Sequence, residues 1–140
     1  MLLHVIARGK IGRSPEAELV DRYMKRIGWP VRLTELPDSG GSLPAPAAPF
    51  KEVLLDETGR ALSSEQFASL LSQWRDQGMR EARFLIGAAD GHGQPARDKA
   101  DLLLSFGTMT WPHLMARAML AEQLWRATSI VAGNPYHRSG

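Results

Sequence analysis

Tyr136, His137 and Arg138 are consecutive near the end of the chain. Together they offer a ring that can stack on a base, an imidazole that changes charge near neutrality and a guanidinium fork matched to phosphate. Such a set suits work on a nucleotide acceptor. Glu122 precedes Arg126 by four residues, the favourable order for an ion pair along one helix face, and as a bare pair it is surface decoration. Gly87, Gly91 and Gly93 follow an apolar run, where missing Cβ atoms let backbone amides approach a ligand. Their spacing is neither G-x-x-x-x-G-K-[ST] nor G-x-G-x-x-G, so nucleoside triphosphate and dinucleotide chemistry lose their usual support. His4, His92, His113 and His137 include no H-x-x-x-H pair, and cysteine is absent. Zinc sites, thiolate nucleophiles, iron–sulfur clusters and disulfides therefore lack their ligands, and no metal is expected. No serine sits in a G-x-S-x-G elbow.

The elements that must position these groups follow from periodicity and punctuation. Residues 2–7 read as a buried strand carrying His4 in the core, and Ser14-Pro15 opens a helix with a capping serine and a proline at its first position. Val20, Tyr23, Met24 and Ile27 form its apolar stripe, and Gly28-Trp29-Pro30 ends it. Residues 31–36 alternate as a half-buried strand does. The segment 37–49 holds Pro37, Pro44, Pro46 and Pro49 without periodicity and is expected to be a mobile surface loop. Residues 52–56 read as a strand. Ser63-Ser64-Glu65-Gln66 forms a capping box ahead of a helix bearing Phe67, Leu70, Leu71 and Trp74, which Gly78 terminates. Residues 82–86 form another strand. A helix starting at Pro95 is expected to carry Ala100, Leu103 and Leu104 inward, followed by a short strand over 107–111 and a strongly amphipathic helix over 114–128. Strands separated by helices imply parallel pairing, so the fold class is α/β, a parallel sheet covered by helices on both faces. Ligands of such sheets sit beyond the carboxyl ends of the strands, here at Leu55-Asp56, residues 87–93 and residues 107–112.

With 140 residues, 44% apolar and 23% charged, the chain reads as one globular domain over 1–140, and no run approaches the length of a membrane span. A cytoplasmic protein is expected. The net charge of +2 is unevenly spread. Residues 1–32 carry +4 (Arg8, Lys10, Arg13, Arg22, Lys25, Arg26 and Arg32 against Glu16, Glu18 and Asp21), residues 33–110 carry −4 and the last thirty carry +2. If the two ends meet, they make one positive face able to attract a polyphosphate backbone.

Four blocks complete the reading: Phe84-Leu85-Ile86-Gly87-Ala88-Ala89-Asp90-Gly91, Thr108-Met109-Thr110-Trp111-Pro112-His113, Ala121-Glu122-Gln123-Leu124-Trp125-Arg126-Ala127 and Asn134-Pro135-Tyr136-His137-Arg138. In this order, and over nearly the whole chain, they resemble the RlmH family. Its members are small SPOUT-class methyltransferases that move a methyl group from S-adenosylmethionine to N3 of a pseudouridine in 23S ribosomal RNA. The resemblance implies a SPOUT-type α/β knot with a C-terminal trefoil knot, a homodimer, and ribosomal RNA within the ribosome as partner. It implies cofactor contacts at Leu55, at Gly87 and Ala88, and at Gly107, Thr108, Met109, Thr110, Trp111 and Pro112. The family often shows Gly-Gly-Pro-Glu-Gly where this chain has Gly87-Ala88-Ala89-Asp90-Gly91. Backbone contacts survive that change better than any role of the acidic side chain. On the acceptor side the chemistry of methylating an imide nitrogen leads to the expectation of His137 as proton acceptor, Tyr136 stacking on or orienting the base, Arg138 on a phosphate, and Glu122 with Arg126 positioning this tail. Lys10, Arg22, Lys25 and Arg26 are expected on the RNA backbone. Two other functions fit the same residues: a non-catalytic RNA-binding or ribosome-assembly module, and a methyltransferase of the same fold acting on transfer RNA.

Overall fold

The computed structural model describes residues 1–87 and 92–138. Elements run β1 (Leu2–Arg8), α1 (Pro15–Arg26), β2 (Val31–Leu36), β3 (Phe50–Ala61), α2 (Ser64–Asp76), β4 (Glu81–Ile86), α3 (Gln94–Lys99), β5 (Leu102–Ser105) and α4 (His113–Ala132). Among the described residues the strands form one sheet in the order β2-β1-β4-β3-β5, every neighbouring pair parallel. The helix starts are the ones expected. Ser14 accepts from the Ala17 amide ahead of Pro15, and the Ser63–Gln66 capping box is reciprocal.

The two faces of the sheet are unequal. Leu3, Val5 and Ala7 of β1, Val53 of β3, Phe84 and Ile86 of β4 and Leu104 of β5 project to one side. They pack there with Phe67, Leu71 and Trp74 of α2 and Leu120, Leu124 and Ala127 of α4, while Met24 and Ile27 bring in α1. On the other side Ile6, Leu54 and Leu85 meet Ala96 and Ala100 near α3. That small helix covers only the carboxyl end of the face. The amino end holds His4, Glu81 and Arg83, all buried, under the Pro-rich segment 37–49.

This polar cluster alters the expectation of a mobile loop. Arg83 donates through Nε to Glu81 at 2.6 Å and through an Nη to the Pro44 carbonyl at 2.8 Å. Glu81 also accepts from the Ala47 amide, and the Pro49 carbonyl accepts from the Arg80 amide at 2.7 Å. The segment is thus fastened from beneath by a buried ion pair whose remaining hydrogen-bonding capacity it fills. Burial works to raise the Glu81 carboxyl, but bonds from Arg83 and Ala47 outweigh it and hold the group below its ordinary value. Burial, helped by Arg83, lowers the His4 imidazole against the pull of Glu81, so the ring is neutral while its Nε2 bonds Thr34 at 2.7 Å.

Three other expectations change. The helix from Pro95 stops at Lys99, because Asp101 turns to β3: its amide donates to the Glu52 carbonyl at 2.9 Å and its carboxylate accepts from the Glu52 amide at 2.8 Å. Leu103 and Leu104 consequently lie on β5, a run too short for periodicity to distinguish strand from helix. Residues 107–111 are not a strand but an irregular crossing, started by Gly107 at φ +112°, which side chains rarely adopt. The last helix is longer than expected and buried on more than one stripe, since α1, α2 and the sheet all pack against it.

Replacing Glu81 by Ala strands the buried Arg83 charge and is expected to cost about 3–5 kcal/mol in urea unfolding at pH 7. The sign with pH follows from the lowered carboxyl. Its contribution is complete above the ordinary value of 4.5 and disappears as pH falls through the lower folded value, so the gap to wild type closes in acid. A urea midpoint unchanged at pH 7 would contradict this account of the cluster.

Candidate active site

Three connections leave the carboxyl ends of β3, β4 and β5, and their described residues line one cavity. The first arises inside β3, where pairing to β5 jumps: Leu55 and Arg60 both stand opposite Leu104, so residues 56–59 leave the ladder as an excursion. Asp56 shapes it by accepting from the Thr58 amide at 2.9 Å and the Thr58 hydroxyl at 2.6 Å, a side-chain turn typical of aspartate. Gly59 lets the excursion return onto β5; a Cβ there would stand 2.4 Å from the Leu103 carbonyl oxygen. Of the second, which follows β4, Gly87 and the residues from His92 onward are described. The third, residues 106–112, is braced by the Ser105 hydroxyl, which accepts from the Gly107 amide at 3.0 Å, and by the Trp111 indole on the Phe106 carbonyl. Thr110 donates to Glu57 at 2.9 Å and so fastens the third turn to the first.

Between them lies a cavity of ≈ 690 Å³. That is within the roughly 300–1,000 Å³ of small-molecule sites. Its apolar wall is Leu55, Ile86, Leu104, Phe106, Met109 and Trp111; its polar wall is Asp56, Glu57, Thr58, His92 and Arg97. Of the expected cofactor contacts, Leu55, Gly87, Gly107, Met109, Thr110, Trp111 and Pro112 line it. Thr108 is exposed and is not among the lining residues. Ala88, with Ala89, Asp90 and Gly91, lies outside the described residues.

Charges in the cavity are set by its own walls. Burial raises the Asp56 carboxyl, but hydrogen bonds from Thr58 and an ion pair with Arg97 overcome it and hold the group below the carboxylate norm. His92 donates from Nε2 to the Leu55 carbonyl at 3.1 Å, and burial pushes its imidazole down, so the ring is neutral. Glu57 adds a second carboxylate. Apolar slabs beside paired carboxylates suit a flat base with hydroxyls and a cationic substituent. No cluster of His, Asp or Glu able to hold a metal occurs among the described residues.

The tail residues assemble elsewhere. Tyr136 stacks on Trp125 at 3.7 Å between centroids, Trp125 on Tyr23 at 5.5 Å, and Arg126 lies over Tyr136 at 4.7 Å. Arg126 donates to Glu122 at 2.7 Å and, from a terminal guanidinium nitrogen, to Nδ1 of His137 at 3.0 Å; the Glu122 carboxylate raises the Arg126 guanidinium further. Glu122, Arg126, Tyr136 and His137 are thus one cluster, with Arg138 exposed beside it. None of the five lines the cavity. A second hollow of ≈ 500 Å³ bridges the gap, sharing Leu104, Phe106 and Gly107 with the cavity and reaching Glu122 and Ser64. The basic ends do meet: Arg26 of α1 sits over Trp125 at 4.9 Å, with Arg22 and Lys25 exposed nearby on the helix.

Sequence reasoning placed Asp56 and His92 at the rim without assigning either a role, and it did not single out Arg97, Arg117 or Glu65. Arg117 is 1% exposed, and reaches the Glu35 carboxylate at 2.5 Å and the Gly9 carbonyl at 3.1 Å, which fixes where α4 begins beside the cavity. A lone arginine in an apolar helical stretch was the available signal.

Comparison with known proteins gives the family. A family model described as "Predicted SPOUT methyltransferase" matches residues 1–137. The chain is 69% identical over 140 residues to a protein of Erythrobacter litoralis called ribosomal RNA large subunit methyltransferase H, both chains covered in full. Proteins of the same name from Novosphingobium aromaticivorans and Zymomonas mobilis are 67% identical over 141 residues and 56% over 142, again with full coverage of both chains. No helix among the described residues is long and apolar enough to cross a membrane.

Gly59→Ala tests the construction of the first turn. The added Cβ must displace backbone, so the variant is expected to lose about 1–3 kcal/mol. Calorimetric unfolding measures it, and a wild-type melting temperature would show that the excursion does not depend on this close approach.

Proposed function

The chain belongs to the SPOUT methyltransferase family, and from that premise we propose that it methylates N3 of a pseudouridine in 23S ribosomal RNA, with S-adenosylmethionine as donor and assembled ribosomes as substrate. The carrying observation is that the turns after Leu55 and Ser105, together with Gly87 and His92, line one cavity of suitable size with apolar and carboxylate walls. Leu55, Gly87, Gly107 and residues 109–112 hold the donor. When bound, it supplies a methyl group already activated on a sulfonium. The chain's own work is alignment, exclusion of water and management of one proton. The imide nitrogen is a useful nucleophile only once deprotonated, and His137 takes that proton. Tyr136 stacks on the target base, Arg138 holds a phosphate, and Glu122 with Arg126 keeps the tail in place.

The enzyme works as a homodimer. Within one protomer the tail cluster stands off the cavity, and Met109 (75% exposed), Trp111 and Met115 leave an apolar rim around the third turn. A second copy covering that rim brings its own tail to the donor. The family's C-terminal trefoil knot would stiffen the third turn against strain from either side. Lys10, Arg22, Lys25 and Arg26 are exposed and track the RNA backbone, a salt-sensitive attraction. The protein acts in the cytoplasm, where ribosomes are.

Incubation with labelled donor and ribosomes lacking the modification is expected to place one label on the pseudouridine N3. A label on another ribosomal nucleotide, or on transfer RNA alone, would keep the chemistry and overturn the substrate. A chain that binds ribosomes but gives no calorimetric heat with S-adenosylmethionine would be a binding module instead.

A further inference from the structure

His137 is held from two sides by groups of opposite character. Its Nδ1 lies 3.0 Å from a terminal guanidinium nitrogen of Arg126, and its Nε2 lies 2.7 Å from Oε1 of Glu65 in the first turn of α2. A guanidinium can only donate. Nδ1 must therefore accept, and the ring proton sits on Nε2, donated to the carboxylate. Arg126 is fixed in turn by Glu122, so the arrangement reads carboxylate, imidazole, guanidinium, carboxylate across α2, the tail and α4. Glu65 is not needed to start its helix, since Ser63 and Gln66 already complete the capping box. Its side chain is half exposed, at 50%, against 16% for His137.

We propose that Glu65 is a positioning residue for methyl transfer: it keeps the His137 proton on Nε2 once Arg126 gives up Nδ1 to the acceptor base, and it stabilises the cation formed when Nδ1 takes a proton. The proposal rests on the reading of His137 as proton acceptor. Arg126 occupies Nδ1 in the resting chain, and the imide N–H of the acceptor base takes its place there. The proton then passes from the imide nitrogen to Nδ1. The freed pair on nitrogen forms the new nitrogen–carbon bond, and the carbon–sulfur bond breaks with its pair retained by sulfur, leaving a neutral thioether. The positive charge that entered on the sulfonium ends on the imidazolium, beside the Glu65 carboxylate. A carboxylate that orients an imidazole and stabilises its cation plays the same part in hydrolytic triads.

The test uses the full chain with unmodified ribosomes and saturating S-adenosylmethionine, in Glu65→Ala, Glu65→Gln and His137→Ala. Glu65→Ala is expected to lose kcat by roughly tenfold to a hundredfold, the low end for a general base and its support. KM for the donor should stay at the wild-type value, which a merely structural role would not produce. Nitrogen-15 spectra of labelled histidine, taken with Arg126 replaced by Met so that no donor faces Nδ1, should show the neutral His137 ring protonated on Nε2 while Glu65 is present and shared between both nitrogens when Glu65→Ala is added. Glu65→Gln keeps an acceptor for Nε2 without the charge; it should hold the tautomer yet lose kcat, and it serves if the alanine variant fails to fold. Double replacement of Glu65 and His137 should cost no more than His137→Ala alone. If His137→Ala is inactive while both Glu65 variants turn over within about twofold of wild type, the role of Glu65 is overturned and the proton acceptor stands. If His137→Ala retains turnover, the proton-acceptor reading fails and takes Glu65 with it.

Discussion

Arg117 decides where the last helix begins, and the geometry of the cavity follows from that. Its guanidinium reaches the Glu35 carboxylate at the end of β2 and the backbone carbonyls of Arg8 and Gly9 at the end of β1. Burial raises the Glu35 carboxyl, but the Ile11 amide and Arg117 prevail and keep it ionised. β5 lies at the opposite edge of the sheet from β2. To travel from β5 to an α4 anchored beside β1, residues 106–112 must pass over the carboxyl ends of β3 and β4. Their path across the rim is thus imposed by a buried arginine that reaches a partly exposed carboxylate. Such a pair costs desolvation, and its value lies in admitting one arrangement of helix against sheet.

The rest of the molecule serves the same rim. An all-parallel sheet puts every strand end on one side, and the large core beneath α1, α2 and α4 holds those ends still. The polar cluster of His4, Glu81 and Arg83 fastens the Pro-rich segment at the far end of the sheet, away from the cavity. At the cavity, Asp56 and Glu57 line the wall and burial holds the His92 imidazole neutral, so Arg97 is the one Lys or Arg among the described lining residues that meets the two carboxylates. That balance suits a ligand bearing positive charge. The aromatic stack of Tyr23, Trp125 and Tyr136 sets the tail next to the basic face of α1.

Local chemistry was legible where it is local in origin. Ser14 with Pro15 and Ser63 with Gln66 announce their helices because a cap needs only its own neighbours. Residues 55, 87 and 107–112 could be placed at one rim because parallel pairing alone puts them there, and all but Thr108 and the undescribed Ala88 line the cavity. β5 was misread because Leu102, Leu103 and Leu104 carry no period, and only the long-range bonds of Asp101 to Glu52 decide the matter. Arg83 and Arg117 could not be recognised as buried, since each is paid for by partners at distant positions: Glu81 and the Pro44 carbonyl for one, Glu35 and Gly9 for the other. The contact between Glu65 and His137 was hidden for the same reason, as nothing in the spacing relates the start of α2 to the tail.

Arg117→Met offers the most direct measurement, because the residue does not line the cavity yet is held to shape it. Calorimetric titration with S-adenosylmethionine should give an affinity at least about tenfold weaker than wild type, equivalent to about 1.4 kcal/mol, in a chain that still unfolds cooperatively. Wild-type affinity in the folded variant would contradict the claim that this buried cation builds the donor site.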